Sequence, residues 1–274
     1  MKKGIEHFLK FVLRDDDTYV VYGRKDENGN YGEIENVDIP ESYKGKPVTA
    51  LGYGAFYNCT SLKSIDIPNS VTYICNSAFA GCKNLVKVTI PNSVKVIEGV
   101  TFGACESLNS VNIPDSVTSI GVCAFHQCKS LISIRLPNSV MSIGSSAFGY
   151  CTSLTDLNLP DGLTSIGSSV FEKCESLTSI AIPNGVTSIG NRAFSDCKNL
   201  TNVTIPNSVT HIRYGAFFGC EKLKAVMVSK HTVLEIEDEE EKWLCSLRHK
   251  EVRFEKKEPF PSGCVVDRKT EEDN

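Results

Sequence analysis

The sequence lacks long hydrophobic runs and any excess of positive charge. No run of about eighteen apolar residues, the length that a membrane-spanning helix needs, occurs in its 274 residues. The formal net charge is −4 and the sequence pI is about 5.8, which excludes the strongly basic surface that nucleic-acid binding requires. We therefore expect neither a membrane span nor a nucleic-acid partner.

The amino terminus also lacks a recognisable secretory signal. Its first residues, MKKGIEHFLKFVLRDDD, contain two lysines, but Glu6, His7 and Lys10 interrupt the apolar run and no small-residue cleavage site follows. The chain contains 12 cysteines, yet it is far longer than the small secreted domains that disulfides hold together. These features predict a soluble chain with free thiols, retained in a reducing compartment.

An internal repeat of constant period runs through most of the chain. One proline register advances by the same number of residues at every step, and phenylalanine, cysteine and leucine registers keep the same spacing. The four registers are Pro68, Pro91, Pro114, Pro137, Pro160, Pro183 and Pro206; Phe56, Phe79, Phe102, Phe125, Phe148, Phe171, Phe194 and Phe217; Cys59, Cys82, Cys105, Cys128, Cys151, Cys174, Cys197 and Cys220; and Leu62, Leu85, Leu108, Leu131, Leu154, Leu177, Leu200 and Leu223. The constant residues are expected to be buried and the varying ones exposed.

Each repeat predicts one coil of chain. SLNSVNIP alternates apolar and polar residues as a short strand does, and Pro114 ends that strand because it has no N–H to donate. VTSIG predicts a second short strand, after which Gly121 permits a bend. CAFHQC brings Phe125 and Cys128 inward on a tight turn, predicted to be helical or 3₁₀. Since one coil cannot bury its own apolar side, the coils are expected to stack into a solenoid about 40 Å long, at about 4.8 Å per coil.

The repeat pattern AFxxCxSLxSIxIPxSVTSIG resembles the BspA-type leucine-rich repeats, which occur in surface proteins of bacteria and some protists. The resemblance covers residues 37–228. It implies an α/β solenoid, a right-handed superhelical arc of short parallel strands joined by turn or 3₁₀ segments and capped at both ends. It also implies a non-enzymatic interaction or adhesion module at the cell surface or secreted, whereas the free cysteines favour the cytoplasm.

The amino-terminal end has the composition of a cap. Residues 1–36 are expected to form a capping hairpin, with RDDD at its turn, followed by a polar connection. A short amphipathic helix through Ile5, Phe8, Leu9 and Val12 is the alternative for the same segment. The solenoid of eight coils then occupies residues 37–228, and its first coil is lengthened around Gly45 and Pro47.

The carboxy-terminal end has a similar pattern. Residues 229–264 are expected to form a cap made of a helix around Trp243 and a strand. The acidic run at the start of this helix lacks the spaced pattern of a calcium-binding loop. Residues 265–274 are polar and expected to be disordered.

The repeated cysteines are interpreted as small buried side chains with a weak S–H donor. In-register stacking keeps their Cβ atoms near 4.8 Å apart, whereas a disulfide needs about 3.8 Å, and a line of thiols cannot surround a zinc ion. The cluster Cys123, His126 and Cys128 resembles a metal or nucleophile site in sequence, but Cys128 belongs to the buried register. We expect no metal, no cofactor and no catalytic residue.

The outward positions of the first strand form the candidate ligand-binding surface. They vary from Ser64 and Asp66 at one end to Asn202 and Thr204 at the other, and the candidate site on the concave face comprises Lys87, Thr89, Ser110, Asn112, Ser133, Arg135, Asp156 and Asn158. A second candidate is the rim, where Tyr53, Tyr57, Tyr73, Tyr150 and Tyr214 lie near the turns.

Two functions from different classes follow from these patterns. The first is recognition of a protein or glycan ligand by a monomeric chain without catalysis. The alternative is a structural spacer or a self-associating scaffold without a specific ligand.

The thiols of residues 105–128 give the first testable prediction. Cys123 stands at a position that varies between copies and is interpreted as an exposed thiol, so we expect it to react with oxidants and alkylating reagents before Cys105 and Cys128 do. Timed alkylation of the folded protein followed by peptide mass spectrometry measures the order. Labelling of Cys105 and Cys128 ahead of Cys123 would overturn the assignment.

Overall fold

The fold is a β-solenoid built almost entirely from short parallel strands. A computed structural model describes residues 7–27, 29, 31–223, 225–227 and 232–234. Within these residues the chain contains twenty strands and no α-helix. The solenoid prediction is therefore confirmed, but the α/β label is not, because the connections between strands are turns.

One side of the solenoid carries the first strand of every coil. These strands are β3 (Asn36–Asp38), β6 (Ser64–Asp66), β8 (Lys87–Thr89), β11 (Ser133–Arg135), β13 (Asp156–Asn158), β15 (Ser179–Ala181), β17 (Asn202–Thr204) and β19 (Ala225–Met227). They pair in parallel and in register within the sets β3–β6–β8, β11–β13 and β15–β17–β19, so that Ile65 lies beside Val88. Between β8 and β11 the ladder continues through single bridges of Asn112 with Thr89 and with Arg135. We call this side of the solenoid the first sheet.

A second side carries the other strand of each coil. Its strands are β7 (Tyr73–Ile74), β9 (Val96–Ile97), β10 (Ser119–Ile120), β12 (Ser142–Ile143), β14 (Ser165–Ile166), β16 (Ser188–Ile189), β18 (His211–Ile212) and β20 (Val233–Leu234). They pair in parallel within the sets β9–β10–β12 and β14–β16–β18–β20, for example Ile120 with Ile97 on one side and with Ile143 on the other. The isoleucine that ends each of these strands from β7 to β18 is buried in the core.

The core consists of columns in which identical side chains stack from coil to coil. The eight repeated phenylalanines have adjacent ring centroids 5.3 to 5.7 Å apart, with interplanar angles of 1° to 16°. The repeated leucines and cysteines are buried in neighbouring columns. Because full burial of a phenylalanine contributes about 1.5–3 kcal/mol, the column is a major part of the folding free energy.

The cysteine column also forms a ladder of sulfur hydrogen bonds. The Cys105 thiol donates to the Phe79 carbonyl oxygen at 3.2 Å, and the Cys128 thiol donates to the Phe102 carbonyl oxygen at 3.2 Å. The same bond, always from a cysteine to the phenylalanine of the preceding coil, recurs from Cys82 to Cys220. All described cysteines are free, and burial raises the pKa of Cys128. The column is therefore inert and structural.

The turn that carries phenylalanine and cysteine is not a 3₁₀ helix. Its amides alternate between two partners: the His126 N–H bonds the Cys123 carbonyl three residues back, whereas the Phe125 N–H bonds the Ala147 carbonyl of the next coil. Cys123 and Gln127 have φ values of 55° and 61°, in the left-handed region. A 3₁₀ helix requires consecutive right-handed residues, so the predicted helical segment is corrected to a chain of turns.

Gly121 serves a purpose other than the expected bend. Its φ does not lie in the left-handed region, but a Cβ added to it would lie 2.5 Å from the Gly99 backbone nitrogen. The glycine therefore permits two successive coils to approach closely at this corner.

The amino-terminal segment forms the hairpin rather than the alternative helix. Strand β1 (Leu9–Leu13) pairs antiparallel with β2 (Tyr19–Gly23). Strand β4 (Ser42–Tyr43) turns through two left-handed residues into β5 (Lys46–Leu51). Because β5 pairs in parallel with both β2 and β7, the hairpin extends the second side of the solenoid.

The connection after the hairpin covers the first phenylalanine of the column. The Tyr31 ring stacks on Phe56 with centroids 6.5 Å apart, and its hydroxyl donates to the Ala55 carbonyl oxygen at 3.1 Å. The phenyl column is therefore closed by an aromatic ring at this end.

The predictions for the other end fall mostly outside the described residues. The expected cap over residues 229–264, apart from residues 232–234, and the expected disordered tail at 265–274 lie there. They remain predictions.

Backbone conformation gives a prediction about stability. Val100 is β-branched and has a φ of 57°, a left-handed conformation that costs an L-residue about 1–2 kcal/mol. Replacing Val100 with glycine is expected to raise the free energy of unfolding by about 1 kcal/mol, as measured in urea. Val122, which is also exposed but has no left-handed φ, is the control, and Val122→Gly is expected to destabilise. Equal losses in both variants would contradict the argument.

Candidate ligand-binding face

The strands of the first sheet place the predicted site residues on one surface. In strands β8, β11 and β13 the middle residue is buried and the two flanking side chains are exposed, because successive side chains alternate across a strand. The bridges through Asn112 bring the fourth coil into line with its neighbours, although that coil has no strand in the first sheet. We call the exposed set the sheet face; it comprises Lys87, Thr89, Ser110, Asn112, Ser133, Arg135, Asp156 and Asn158.

The register fixes which of these side chains are neighbours. Ser133 lies beside Asp156, and Arg135 lies beside Asn158. Asn112 lies between Thr89 and Arg135. Adjacent rungs are about 4.8 Å apart, so the four rungs of the sheet face span about 14 Å. All eight predicted residues are therefore brought together.

The charged side chains of the sheet face are not engaged within the described part of the chain. No ion pair or hydrogen bond there involves the side chain of Lys87, Arg135 or Asp156. The charges on another edge differ, since Glu106 pairs with Lys83 at 3.4 Å and with Lys129 at 2.9 Å. The lysines, with the Lys129 hydrogen bond foremost, lower the pKa of Glu106. The free charges of the sheet face are thus available to a partner.

Two apolar side chains beside the sheet face were not predicted as site residues. Ile132 is 55% exposed and Val86 is 43% exposed, and each immediately precedes a strand of the first sheet. They lie two coils apart, on either side of Asn109. In the other coils the same position carries lysine, asparagine or threonine. The change from these polar residues to valine and isoleucine is the feature of the sequence that could have identified the two side chains as site residues.

The cluster suggested by CAFHQC does not form a joint site. The Cys128 thiol faces the Phe102 carbonyl, whereas the His126 ring packs on Tyr150 with centroids 5.2 Å apart. Burial lowers the pKa of His126 and raises the pKa of Cys123, which is half-buried rather than exposed. Among the described residues no group of three or more histidine, cysteine, aspartate or glutamate side chains could hold a metal ion.

The rim tyrosines are distributed along the turns rather than gathered in one place. Tyr53 and Tyr57 are exposed near the amino-terminal end. The ammonium of Lys173 lies 4.8 Å from the Tyr150 ring centroid, and the Arg192 guanidinium lies 5.8 Å from that of Tyr214. These two contacts pack the edge from coil to coil.

The stacked coils and their repeated leucine, phenylalanine and cysteine columns define a leucine-rich repeat solenoid. The chain belongs to the family described as the BspA type leucine rich repeat region, whose model matches residues 29–151 and 118–240. The resemblance seen in the sequence is thereby confirmed. No curated protein sequence matches the chain.

Solved structures show the same fold. A leucine-rich repeat protein from Bacteroides ovatus is 29% identical over 83% of this chain, with a TM-score of 0.68. The chain spans 66% of that protein, just under two thirds of its length. The T. pallidum leucine-rich repeat protein is 30% identical, with 74% of this chain and 92% of that chain covered and a TM-score of 0.65.

The described residues contain no helix with the length and apolar character of a membrane span.

Proposed function

We propose that the chain is a non-enzymatic recognition module that presents the sheet face to a protein or glycan ligand. The observation that carries the proposal is the contrast between unpaired charges on the sheet face and paired charges on the neighbouring edge. A side chain without an intramolecular partner can pair with a ligand without first breaking a bond.

The position of the face on the scaffold also supports this function. Its side chains project from strands whose middle residues are buried in the core, so their backbone positions are fixed before a ligand arrives. Preorganised groups lose less conformational entropy on binding. Membership of a repeat family that builds extended surfaces agrees with this interpretation.

Arg135 is expected to be the main contributor to affinity. Arginine is enriched among interface residues that dominate binding, and exposed Ile132 adjoins the same strand. Asp156 lies on the next rung, so the ligand would meet both signs of charge within a short distance. A ligand with a paired acidic and basic group, flanked by an apolar surface, fits this arrangement.

Charge reversal of Arg135 tests the sheet face. The Arg135→Glu protein and the unaltered chain are each immobilised and exposed to host material. The variant is expected to retain at least about tenfold less of each protein or glycan that the unaltered chain retains, because attraction between residue 135 and an acidic group of the ligand becomes repulsion. Lys95→Glu is the matched control, since Lys95 is exposed on the other side of the coil, beside strand β9. The proposal fails if Arg135→Glu and Lys95→Glu retain the same partners as the unaltered chain.

A further inference from the structure

A cavity of about 800 Å³ lies at the amino-terminal end, away from the sheet face. It lies between the β1–β2 hairpin, the β4 segment and the first turn of the solenoid. Its size falls within the range of small-ligand sites. Its lining includes four aromatic side chains, those of Phe11, Tyr22, Tyr31 and Tyr43.

The aromatic side chains of this cavity are held in place by close packing. Phe11 and Tyr43 stack with centroids 3.9 Å apart and an interplanar angle of 8°. A Cβ added at Gly52 would lie 2.1 Å from the Tyr22 ring. The Tyr22 ring therefore occupies space that is open only because residue 52 has no side chain. The cavity walls are therefore preorganised.

Tyr31 is fixed in a similar way. A Cβ added at Gly23 would lie 2.7 Å from its ring, and its hydroxyl donates to the Ala55 carbonyl oxygen. Burial raises the pKa of Tyr31, so the hydroxyl remains protonated and keeps this bond.

The charge of the lining has one sign. Lys10, Arg24 and Lys25 line the cavity, and no aspartate or glutamate does. The Lys25 ammonium lies 4.8 Å from the Tyr31 ring centroid, so cation and ring already form one unit. Two adjoining cavities of about 580 Å³ share Lys25 with the main cavity; Glu33 lines both of them, and Asp26 lines one. A ligand in the main cavity thus meets positive charge.

We propose that this cavity binds a saccharide bearing carboxylate groups. A sugar ring offers apolar C–H surfaces to the aromatic walls and hydroxyls to the tyrosine hydroxyls, and its carboxylate meets the lysine side chains of the lining. Charge-assisted hydrogen bonds from Lys10 and Lys25 give the preference for an acidic sugar over a neutral one.

The packing of the rings favours a sugar over a nucleotide. A nucleobase binds by stacking on a free aromatic face. Phe11 and Tyr43 are stacked on each other, and the Tyr31 ring contacts both Phe56 and the Lys25 ammonium. The close stack of Phe11 on Tyr43 therefore leaves no gap into which a planar base could insert, whereas the C–H groups of a sugar need no such gap.

Calorimetric titration of the full chain tests the site with matched probes. The acidic probes are a galacturonate trisaccharide and sialyllactose, and their neutral counterparts are the methyl-esterified trisaccharide and lactose. At least one acidic probe is expected to bind about tenfold more tightly than its neutral counterpart, and to weaken as salt rises. The double variant Lys10→Gln with Lys25→Gln is expected to lose about tenfold in affinity, whereas Lys95→Gln is expected to bind unchanged.

Several results would overturn the proposal. These are no binding of either acidic probe, equal binding of the neutral probes, or equal affinity in the double variant. Binding of adenosine monophosphate or hexaglutamate at the affinity of the acidic sugars would assign the cavity to another ligand class and also refute the proposal. Because partner capture by the sheet face depends on Arg135, far from this cavity in the chain, either proposal can fail alone.

Discussion

Every coil of this protein depends on its neighbours for hydrogen bonds and packing. The phenylalanine carbonyl oxygen shows this dependence most directly, because it accepts the cysteine N–H of its own coil and the cysteine S–H of the next. The phenyl ring of the same residue stacks on rings above and below it. Equal coil length keeps both columns aligned, and the longer first coil keeps β3 in register with β6 while its extra residues form the turn between β4 and β5. The period of the sequence is a consequence of this stacking.

This constraint leaves the exposed strand positions free to vary. A residue such as Ile134 must fill the core, but its neighbours Ser133 and Arg135 touch no column. Function can therefore change on the sheet face without loss of the fold. The amino-terminal end has a different freedom, because there the column stops at Tyr31 and the hairpin need not repeat. The irregular packing around the Tyr31 ring leaves a cavity, for which the closely stacked regular coils have no room.

The repeat made the core predictable, but not the turn backbone. Eight copies of the pattern identified Phe125, Cys128 and Leu131 as buried, and the structure confirms them. The left-handed conformation of Cys123 was not predictable in this way, because its column contains valine, serine and arginine as well as glycine. The conformation follows from amides that bond the next coil, and no local sequence preference reports such a bond. Tyr31 was missed for a related reason: it lies outside the repeat, in a segment interpreted only as a polar connection.

The central claim is that the cysteine column is a structural part of the solenoid. Cys151 tests it most directly, because its buried thiol donates to the Phe125 carbonyl oxygen at 3.2 Å and burial raises its pKa to about 12. Urea unfolding of Cys151→Ala under reducing conditions is predicted to show a free energy of unfolding lower by about 1–2 kcal/mol, because the packing contacts of the sulfur and its hydrogen bond to the carbonyl are lost. Cys123→Ser should leave the midpoint nearly unchanged. An unaltered midpoint for Cys151→Ala, or an equal loss for Cys123→Ser, would contradict the account.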